Sequence, residues 1–176
     1  MSLPLGEPVP AFSLTGVDGR EHSLDEYEAA EVLVLVQSCN HCPYVIAWEG
    51  RLMSIQSDYA DRGVRIVAFN SNDAARYPED SFEQMAANAG RKEFNFDYLH
   101  DPEQSLAHAL GAERTPEVFV FDRARRLVYH GAIDDSRDDT AVTRHYLRDA
   151  LEAALAGHRP VPEETAAQGC TVKWLP

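Results

Sequence analysis

Residues 32–43, Val-Leu-Val-Leu-Val-Gln-Ser-Cys-Asn-His-Cys-Pro, join a continuous apolar run to a pair of cysteines. The run from Val32 to Val36 is rich in β-branched residues and has the length of a strand, which predicts a central strand buried on both faces. The residues that follow predict a helix from about Asn40 to Asp61. The two cysteines therefore lie where a buried strand ends and a helix begins, which is where catalytic groups gather in open α/β sheets.

Strands and helices are also predicted on either side of this stretch. Residues 12–24 upstream predict a small hairpin with turn residues at 16–19. Residues 64–69 predict a second strand parallel to the first, because a strand, a helix and a strand in that order form a βαβ unit. The remaining predicted elements are a helix over 78–90, a strand over 94–99, a helix that starts at Asp101 with Pro102 in its first turn, a hairpin of strands 118–121 and 127–129, and a helix over 140–156. Together they predict an α/β sheet with helices on both faces.

Length and composition predict one domain. The chain has 176 residues, of which 44% are hydrophobic and 26% are charged, and these values are typical of a single globular domain. We expect residues 1–176 to form that domain, with residues 1–30 as an N-terminal hairpin extension and residues 158–176 as a C-terminal tail.

The strong negative charge argues against several classes of partner. Sixteen Lys and Arg residues against 29 Asp and Glu residues leave a formal net charge of -13, which repels phosphate groups, so we expect neither nucleic acid nor a membrane as a partner. The N-terminal residues show neither a basic segment nor an apolar segment of signal-peptide type, so we expect a cytoplasmic location. Thiols stay reduced in that compartment, and a cysteine pair there is more typical of catalysis or metal binding than of a static disulfide.

Cys39 and Cys42 carry the chemistry that the sequence predicts. A thiol at a helix N-terminus faces unpaired N–H groups and the positive end of the helix dipole, and both lower its pKa. We expect Cys39 to be that thiol, to lie at the surface and to attack the substrate. Cys42 follows three residues later, close enough on a helix to form a disulfide with Cys39 and so to resolve the intermediate. His41, together with Asn40, is expected to tune the pKa of Cys39, unless His41 is simply an exposed residue of the first turn.

Zinc ligation and an inert core position are the alternatives for this pair. A zinc site needs four ligands, and the chain has no second C-x-x-C or H-x₃₋₅-H pattern. We therefore expect no metal and no other cofactor. The third cysteine, Cys170, lies in the tail, and the sequence leaves three roles open for it: a packed inert residue, a third redox thiol, or a partner for another chain.

Three stretches of the chain have a characteristic order and spacing. They are Leu5–Phe12 with the hairpin that follows it, Ser38–Pro43, and Thr115–Asp122. In these stretches the sequence resembles the thioredoxin-like superfamily, specifically the redoxin branch, which is related to alkyl hydroperoxide reductase/thiol-specific antioxidant proteins and to thiol-disulfide oxidoreductases. The resemblance implies a thioredoxin fold with a central mixed sheet, an N-terminal hairpin and an inserted αβ unit. It also implies that Pro116 is a cis-proline facing the cysteines, and that the backbone of Thr115 pairs with the substrate chain.

The chain departs from its apparent relatives at three positions. Ser38 stands where thioredoxins usually have Trp, at the edge where substrates dock. Leu33 stands where thioredoxins usually keep a buried Asp that relays a proton to the inner cysteine. Val36 stands where peroxiredoxins have a Thr three residues before their peroxidatic cysteine, which argues against efficient peroxidase action.

The resulting hypothesis is a thiol-disulfide oxidoreductase in which Cys39 attacks and Cys42 resolves. Its expected partners are disulfide-bearing proteins or small thiol substrates, together with an unidentified electron donor. The alternatives are an atypical thiol peroxidase and a redox-inactive binding module with the same fold.

Overall fold

A mixed β-sheet forms the centre of the protein in the computed structural model, which describes all 176 residues. The strands in chain order are β1 Ser13–Gly16, β2 Glu21–Ser23, β3 Val32–Ser38, β4 Val64–Asn70, β5 Asp97–His100, β6 Arg114–Thr115, β7 Glu117–Phe121, β8 Leu127–Gly131 and β9 Cys170–Thr171. The helices are α1 Pro43–Tyr59, α2 Phe82–Lys92, α3 Ser105–Leu110 and α4 Tyr146–Leu155. Seven strands make up the sheet in the order β2-β1-β5-β4-β3-β7-β8, and β6 and β9 form a separate two-stranded sheet.

Strand β3 lies near the middle of the sheet and is buried along its whole length. It is parallel to β4 and antiparallel to β7, and β4 is in turn parallel to β5. The hairpin of β1 and β2 joins the sheet through an antiparallel pairing of β1 with β5. The predicted central strand, the βαβ unit and both hairpins are therefore confirmed.

The two faces of β3 build two separate apolar cores. Its valines pack into one cluster with buried residues of α1, α2 and α4. Its leucines, Leu33 and Leu35, pack into a second cluster with Leu106 and Leu110 of α3. Because successive side chains of a strand point to opposite faces, helices must cover both sides of the sheet. None of the four helices combines the length and the hydrophobicity that a membrane crossing requires.

The first helix starts at Pro43, so the predicted start near Asn40 is wrong. The ring of a proline clashes with the preceding residue in the helical conformation and drives that residue toward extended geometry. Cys42 accordingly has φ -66° and ψ 126° and serves as the N-cap, while Pro43 takes the first helical position.

The last helix starts at Tyr146 rather than near residue 140, because loop side chains take up the backbone N–H groups of the intervening segment. The Asp135 carboxylate accepts hydrogen bonds from the N–H groups of Thr143 and Arg144, at 2.8 and 3.1 Å. The Asp138 carboxylate accepts one from the N–H of Thr140 at 3.0 Å. Such local side-chain bonds compete with helix formation.

The two middle helices also start later than predicted. Helix α2 begins after Ser81, whose hydroxyl accepts the Gln84 N–H, and it continues through Gly90, where the sequence predicted its end. Helix α3 begins after Gln104 rather than at Asp101. The Asp101 side chain is fully buried and accepts a 2.7 Å hydrogen bond from the Ser71 hydroxyl, so it connects two loops in addition to its contacts with the helix.

A buried histidine fixes the turn of the N-terminal hairpin. The side chain of His22 is 1% exposed, with Nε2 3.0 Å from the Asp18 carboxylate and Nδ1 2.8 Å from that of Glu26. The Asp97 carboxylate on β5, on the far side of β1, lies 3.9 Å from Nδ1. Burial by itself would lower the pKa of His22, but the hydrogen bond and charge of Asp18, with the charges of Asp97 and Glu26, outweigh burial and raise it.

The raised pKa makes the stability contribution of His22 depend on pH. A folded-state pKa above the unfolded value means that the contribution is fully present below the unfolded pKa of about 6.5, and that it is lost as pH rises through the folded pKa. We expect His22→Gln to lower the free energy of unfolding more at about pH 6 than at about pH 9 in urea titrations. The exposed His158 supplies the matched control, His158→Gln, for which we expect little loss at either pH. An equal loss for His22→Gln at both pH values would contradict the prediction.

Candidate active site

Cys39 and Cys42 lie in the short loop that joins β3 to α1. Cys39 is 3% exposed and Cys42 is 1% exposed, and they form a small buried cluster with Val45 against which Cys170 packs. The expectation that the Cys39 sulfur lies at the surface in the first helical turn is therefore wrong. Because Pro43 delays the helix, Cys42 is the residue at its N-cap, and the positive end of the helix dipole acts on Cys42 first.

The segment before β7 faces this cysteine pair. The peptide bond between Thr115 and Pro116 is cis, as the resemblance implied. The Cys39 sulfur lies 3.5 Å from the Thr115 hydroxyl, and the Cys42 sulfur lies 3.4 Å from the Thr115 carbonyl oxygen. Thr115 thus contacts both thiols, one through its side chain and the other through its backbone.

The backbone edge expected for a substrate chain is occupied by the protein's own tail. Strand β9 is antiparallel to β6, with Thr115 directly opposite Cys170. The sulfur of Cys170 lies 2.6 Å from that of Cys42. The role of Thr115 and Pro116 in substrate binding remains a prediction, and it requires that the tail share this edge or leave it.

The three thiols interact electrostatically, with Cys42 in contact with the other two. Hydrogen bonding from the Cys39 thiol, supported by Cys170 and the N–H of Val45, lowers the pKa of Cys42 well below that of a free thiol. The hydrogen bond to Cys42, together with burial, raises the pKa of Cys39. Burial and the neighbouring Cys42 raise the pKa of Cys170. The neighbours of the three thiols thus shift the pKa of Cys42 in the opposite direction from those of Cys39 and Cys170.

The loop between the cysteines is held by a buried carboxylate that the sequence analysis did not connect with the site. Asp80 is fully buried and accepts hydrogen bonds from the Asn40 N–H at 2.8 Å and from the side-chain amides of Asn70 and Asn72 at 3.2 and 2.9 Å. His41 Nδ1 lies 2.9 Å from the same carboxylate. In the sequence, Asp80 resembled an ordinary acidic residue at a helix start, and nothing there linked it to a loop 40 residues earlier.

His41 and Asn40 occupy different surroundings within this loop. A ring nitrogen of His41, a carboxylate oxygen of Asp80 and the sulfur of Cys39 all lie within 4.8 Å of one another. His41 is thus close enough to Cys39 to influence its pKa, and that influence stays a prediction. The charge of Asp80 raises the pKa of Cys39. The Asn40 side chain accepts a 2.8 Å hydrogen bond from the Tyr98 hydroxyl, so its visible role is to hold the loop in place.

The same three atoms have the chemistry of metal ligands. Thiolate, imidazole and carboxylate are ligands typical of divalent transition metals. The Asp80 oxygens, however, already accept hydrogen bonds from Asn40, Asn70 and Asn72. Hydrogen bonding within the folded chain therefore accounts for the position of the Asp80 carboxylate.

Comparison with known proteins places these features in a family. The family model for redoxins matches residues 4–147. The structure of a hypothetical protein from Sinorhizobium meliloti 1021 superposes with a TM-score of 0.93 at 37% identity, covering 99% of this chain and 97% of that one. An uncharacterized conserved protein from Geobacillus kaustophilus superposes with a TM-score of 0.89 at 42% identity, covering 98% and 93% of the two chains.

One curated protein adds a named activity among the relatives. The thiol-disulfide oxidoreductase ResA of Geobacillus thermodenitrificans strain NG80-2 is 26% identical over 124 residues, which is 69% of this chain and 66% of ResA. The match therefore spans slightly less than two thirds of ResA. Solved thioredoxin-like structures of lower identity share the fold, which confirms the predicted fold class. With most of its length matched by the family model, this chain belongs to the redoxin family within the thioredoxin-like superfamily.

Proposed function

We propose that the protein is a thiol-disulfide oxidoreductase that exchanges disulfides through Cys39 and Cys42. The observation that carries the proposal is the packing of these two thiols against each other and their contact with Thr115, at the end of the central strand. Membership of the redoxin family and similarity to a protein named as a thiol-disulfide oxidoreductase support it. The substrate is a protein or small molecule with a disulfide, and the reaction takes place in the cytoplasm with a dithiol as electron donor.

Cys39 makes the first attack in the proposed reaction. In this scheme Cys42 carries the negative charge of the reduced site, next to the Cys39 thiol against which it packs. As the Cys39 sulfur bonds to one substrate sulfur, its proton passes to Cys42, and the other substrate sulfur leaves as a thiolate. Cys42 thus acts as the proton acceptor in a site where Leu33, fully buried in β3, replaces the Asp usual in thioredoxins.

Cys42 then resolves the mixed disulfide. It gives its proton to the departed substrate thiolate and attacks the sulfur of Cys39. The bond between Cys39 and the substrate breaks, and the second substrate sulfur leaves as a thiolate that takes a proton from water. The substrate disulfide has become two thiols, and the cysteine pair has become a disulfide, so two electrons have moved from protein to substrate.

Trapping of the mixed disulfide tests the function and the order of attack. Cys42→Ser removes the resolving thiol, and alkaline buffer can take the proton of Cys39 in its place. We therefore expect this variant, made in a Cys170→Ser background and treated with oxidised glutathione in alkaline buffer, to accumulate a glutathione mixed disulfide at residue 39. Mass spectrometry of the intact protein detects the adduct. The matched control is Cys39→Ser in the same background, for which we expect no stable adduct. An adduct on the control alone would reverse the two roles, and an adduct on neither variant would contradict the proposed function.

A further inference from the structure

The C-terminal strand β9 lies directly against the cysteine pair. Its Cys170 is opposite Thr115 in an antiparallel pairing with β6. The residue before it, Gly169, approaches Thr115 so closely that a Cβ atom at position 169 would collide with the Thr115 carbonyl oxygen. Glycine is therefore required for this close backbone approach. The absence of a side chain at Gly169 is what allows the next residue, Cys170, to enter the site.

Polar and apolar contacts beyond β9 fix the tail in this position. The Lys173 carbonyl oxygen accepts hydrogen bonds from the Asp73 N–H at 2.9 Å and from the Gln104 side-chain amide at 3.0 Å. The Lys173 N–H donates to the Asn72 side chain at 2.9 Å. The ring of Trp174, the next residue, stacks on an imidazole of α3 with centroids 4.4 Å apart. The tail is thus built into the fold, and the position of Cys170 beside Cys42 is specific.

Cys42 lies between the other two cysteines. Cys42 contacts Cys39 on one side and lies 2.6 Å from the Cys170 sulfur on the other. Cys42 is the sulfur in contact with both of the others.

We propose that Cys170 is a third redox residue, which takes over the disulfide from Cys39 by exchange at Cys42. The proposal rests on the proposed function, because that reaction supplies the Cys39–Cys42 disulfide. The step has a simple balance: the thiolate of Cys170 attacks the sulfur of Cys42, the Cys39–Cys42 bond breaks, and Cys39 leaves as a thiolate. The proton released by Cys170 is matched by the proton that Cys39 takes up. No electrons are gained or lost, and no co-reactant is needed.

The exchange has two consequences for the reaction cycle. It returns Cys39 to the reduced form, in which it attacks a disulfide. It also moves the oxidised bond toward the surface, because Cys170 is partly exposed whereas Cys39 and Cys42 are buried. A dithiol donor then reduces the Cys42–Cys170 disulfide in two exchange steps. One donor thiolate attacks the accessible Cys170 sulfur and Cys42 leaves as a thiolate; the second donor thiolate then attacks the first donor sulfur, so that Cys170 leaves and the donor becomes a disulfide.

Peptide mapping of the oxidised full-length protein tests the proposal. Trypsin leaves Cys39 and Cys42 together in peptide 21–51 and places Cys170 in peptide 149–173. A Cys39–Cys42 bond therefore stays within one peptide, whereas a Cys42–Cys170 bond joins two. The protein is oxidised with one equivalent of disulfide substrate, the exchange is stopped with acid, and the remaining free thiols are alkylated. We expect this sample to contain the joined peptides, with the alkyl group on Cys39.

The alternatives give different maps. A disulfide confined to peptide 21–51, with all of the alkyl group on Cys170, would overturn the role of Cys170 and leave the proposed function intact. No disulfide in either position would overturn both. Gly169→Val removes the close approach but keeps the thiol, so we expect it to lose the joined peptides. Gln168→Ala, a change at the exposed neighbouring residue, is the matched control and should retain them.

Kinetics provide a readout that a packing role would not change. We expect Cys170→Ser to lose a larger factor in the steady-state rate with a dithiol donor than in the rate of a single turnover with one equivalent of substrate. Unchanged rates in both assays would overturn the proposal. Loss of both rates by the same factor would also overturn it, because the residue would then act only before the exchange step.

Discussion

Replacing Cys39 with serine is expected to abolish the reduction of insulin disulfides by this protein, with a loss of at least about 10³-fold in rate, because a serine hydroxyl cannot form the mixed disulfide. The side chain of Cys39 is buried and contacts both Cys42 and Thr115. Serine has nearly the same shape, so the fold should persist. The rate of insulin precipitation with a dithiol donor measures the loss.

The control for this prediction is a change at the preceding residue. Ser38 is buried at the end of β3, and we expect Ser38→Ala to retain most of the activity. Circular dichroism in the far and near ultraviolet checks that both variants are folded. Substantial insulin reduction by Cys39→Ser would contradict the proposed function, and the redox-inactive binding module would be favoured if the unmodified protein also showed no reversible loss of thiols.

Replacing Asp80 with alanine is expected to lower the free energy of unfolding by about 3 kcal/mol or more, because the buried donors that it satisfies lose their acceptor. These donors are the Asn40 N–H and the side-chain amides of Asn70 and Asn72. All three residues are buried, so water cannot readily replace the carboxylate. Urea unfolding followed by tryptophan fluorescence measures the change.

The neighbouring acidic residue gives a matched control for Asp80. The side chain of Glu79 is 48% exposed and its nearest contact with His41 is 3.7 Å. Surface substitutions of this kind usually change stability by less than about 0.5 kcal/mol, so Glu79→Ala should have a small effect. If Asp80→Ala cost no more than Glu79→Ala, the buried hydrogen bonds of the loop would not contribute as described.

The elements that were predicted correctly depend on short-range patterns. The apolar run of β3 and the alternation of strand and helix are determined by residues close together in the chain. The helix starts were less accurate, because they depend on single side chains. Pro43 excludes Cys42 from the first helix. The Asp135 carboxylate takes N–H groups that a longer last helix would have used.

The part of the candidate site that was predicted also depends on short-range patterns in the sequence. Cys39 and Cys42 are neighbours in the sequence, and the resemblance to redoxins pointed to the cis bond before Pro116. The two contacts that were missed are long-range. Asp80 reaches Asn40 across 40 residues, and Cys170 reaches Cys42 across 128 residues. No local pattern marks either partner.

The sequence by itself determined the pair of thiols, their spacing, and the strand and helix that carry them, because these features follow from local periodicity and from the chemistry of each side chain. Only the tertiary structure decided which groups surround each thiol and where the third thiol lies. The pKa of a buried thiol depends on its neighbours in space, and the neighbours of Cys42 include Thr115 and Cys170 from distant parts of the chain. The fold thereby lowers the pKa of Cys42 and raises that of Cys39.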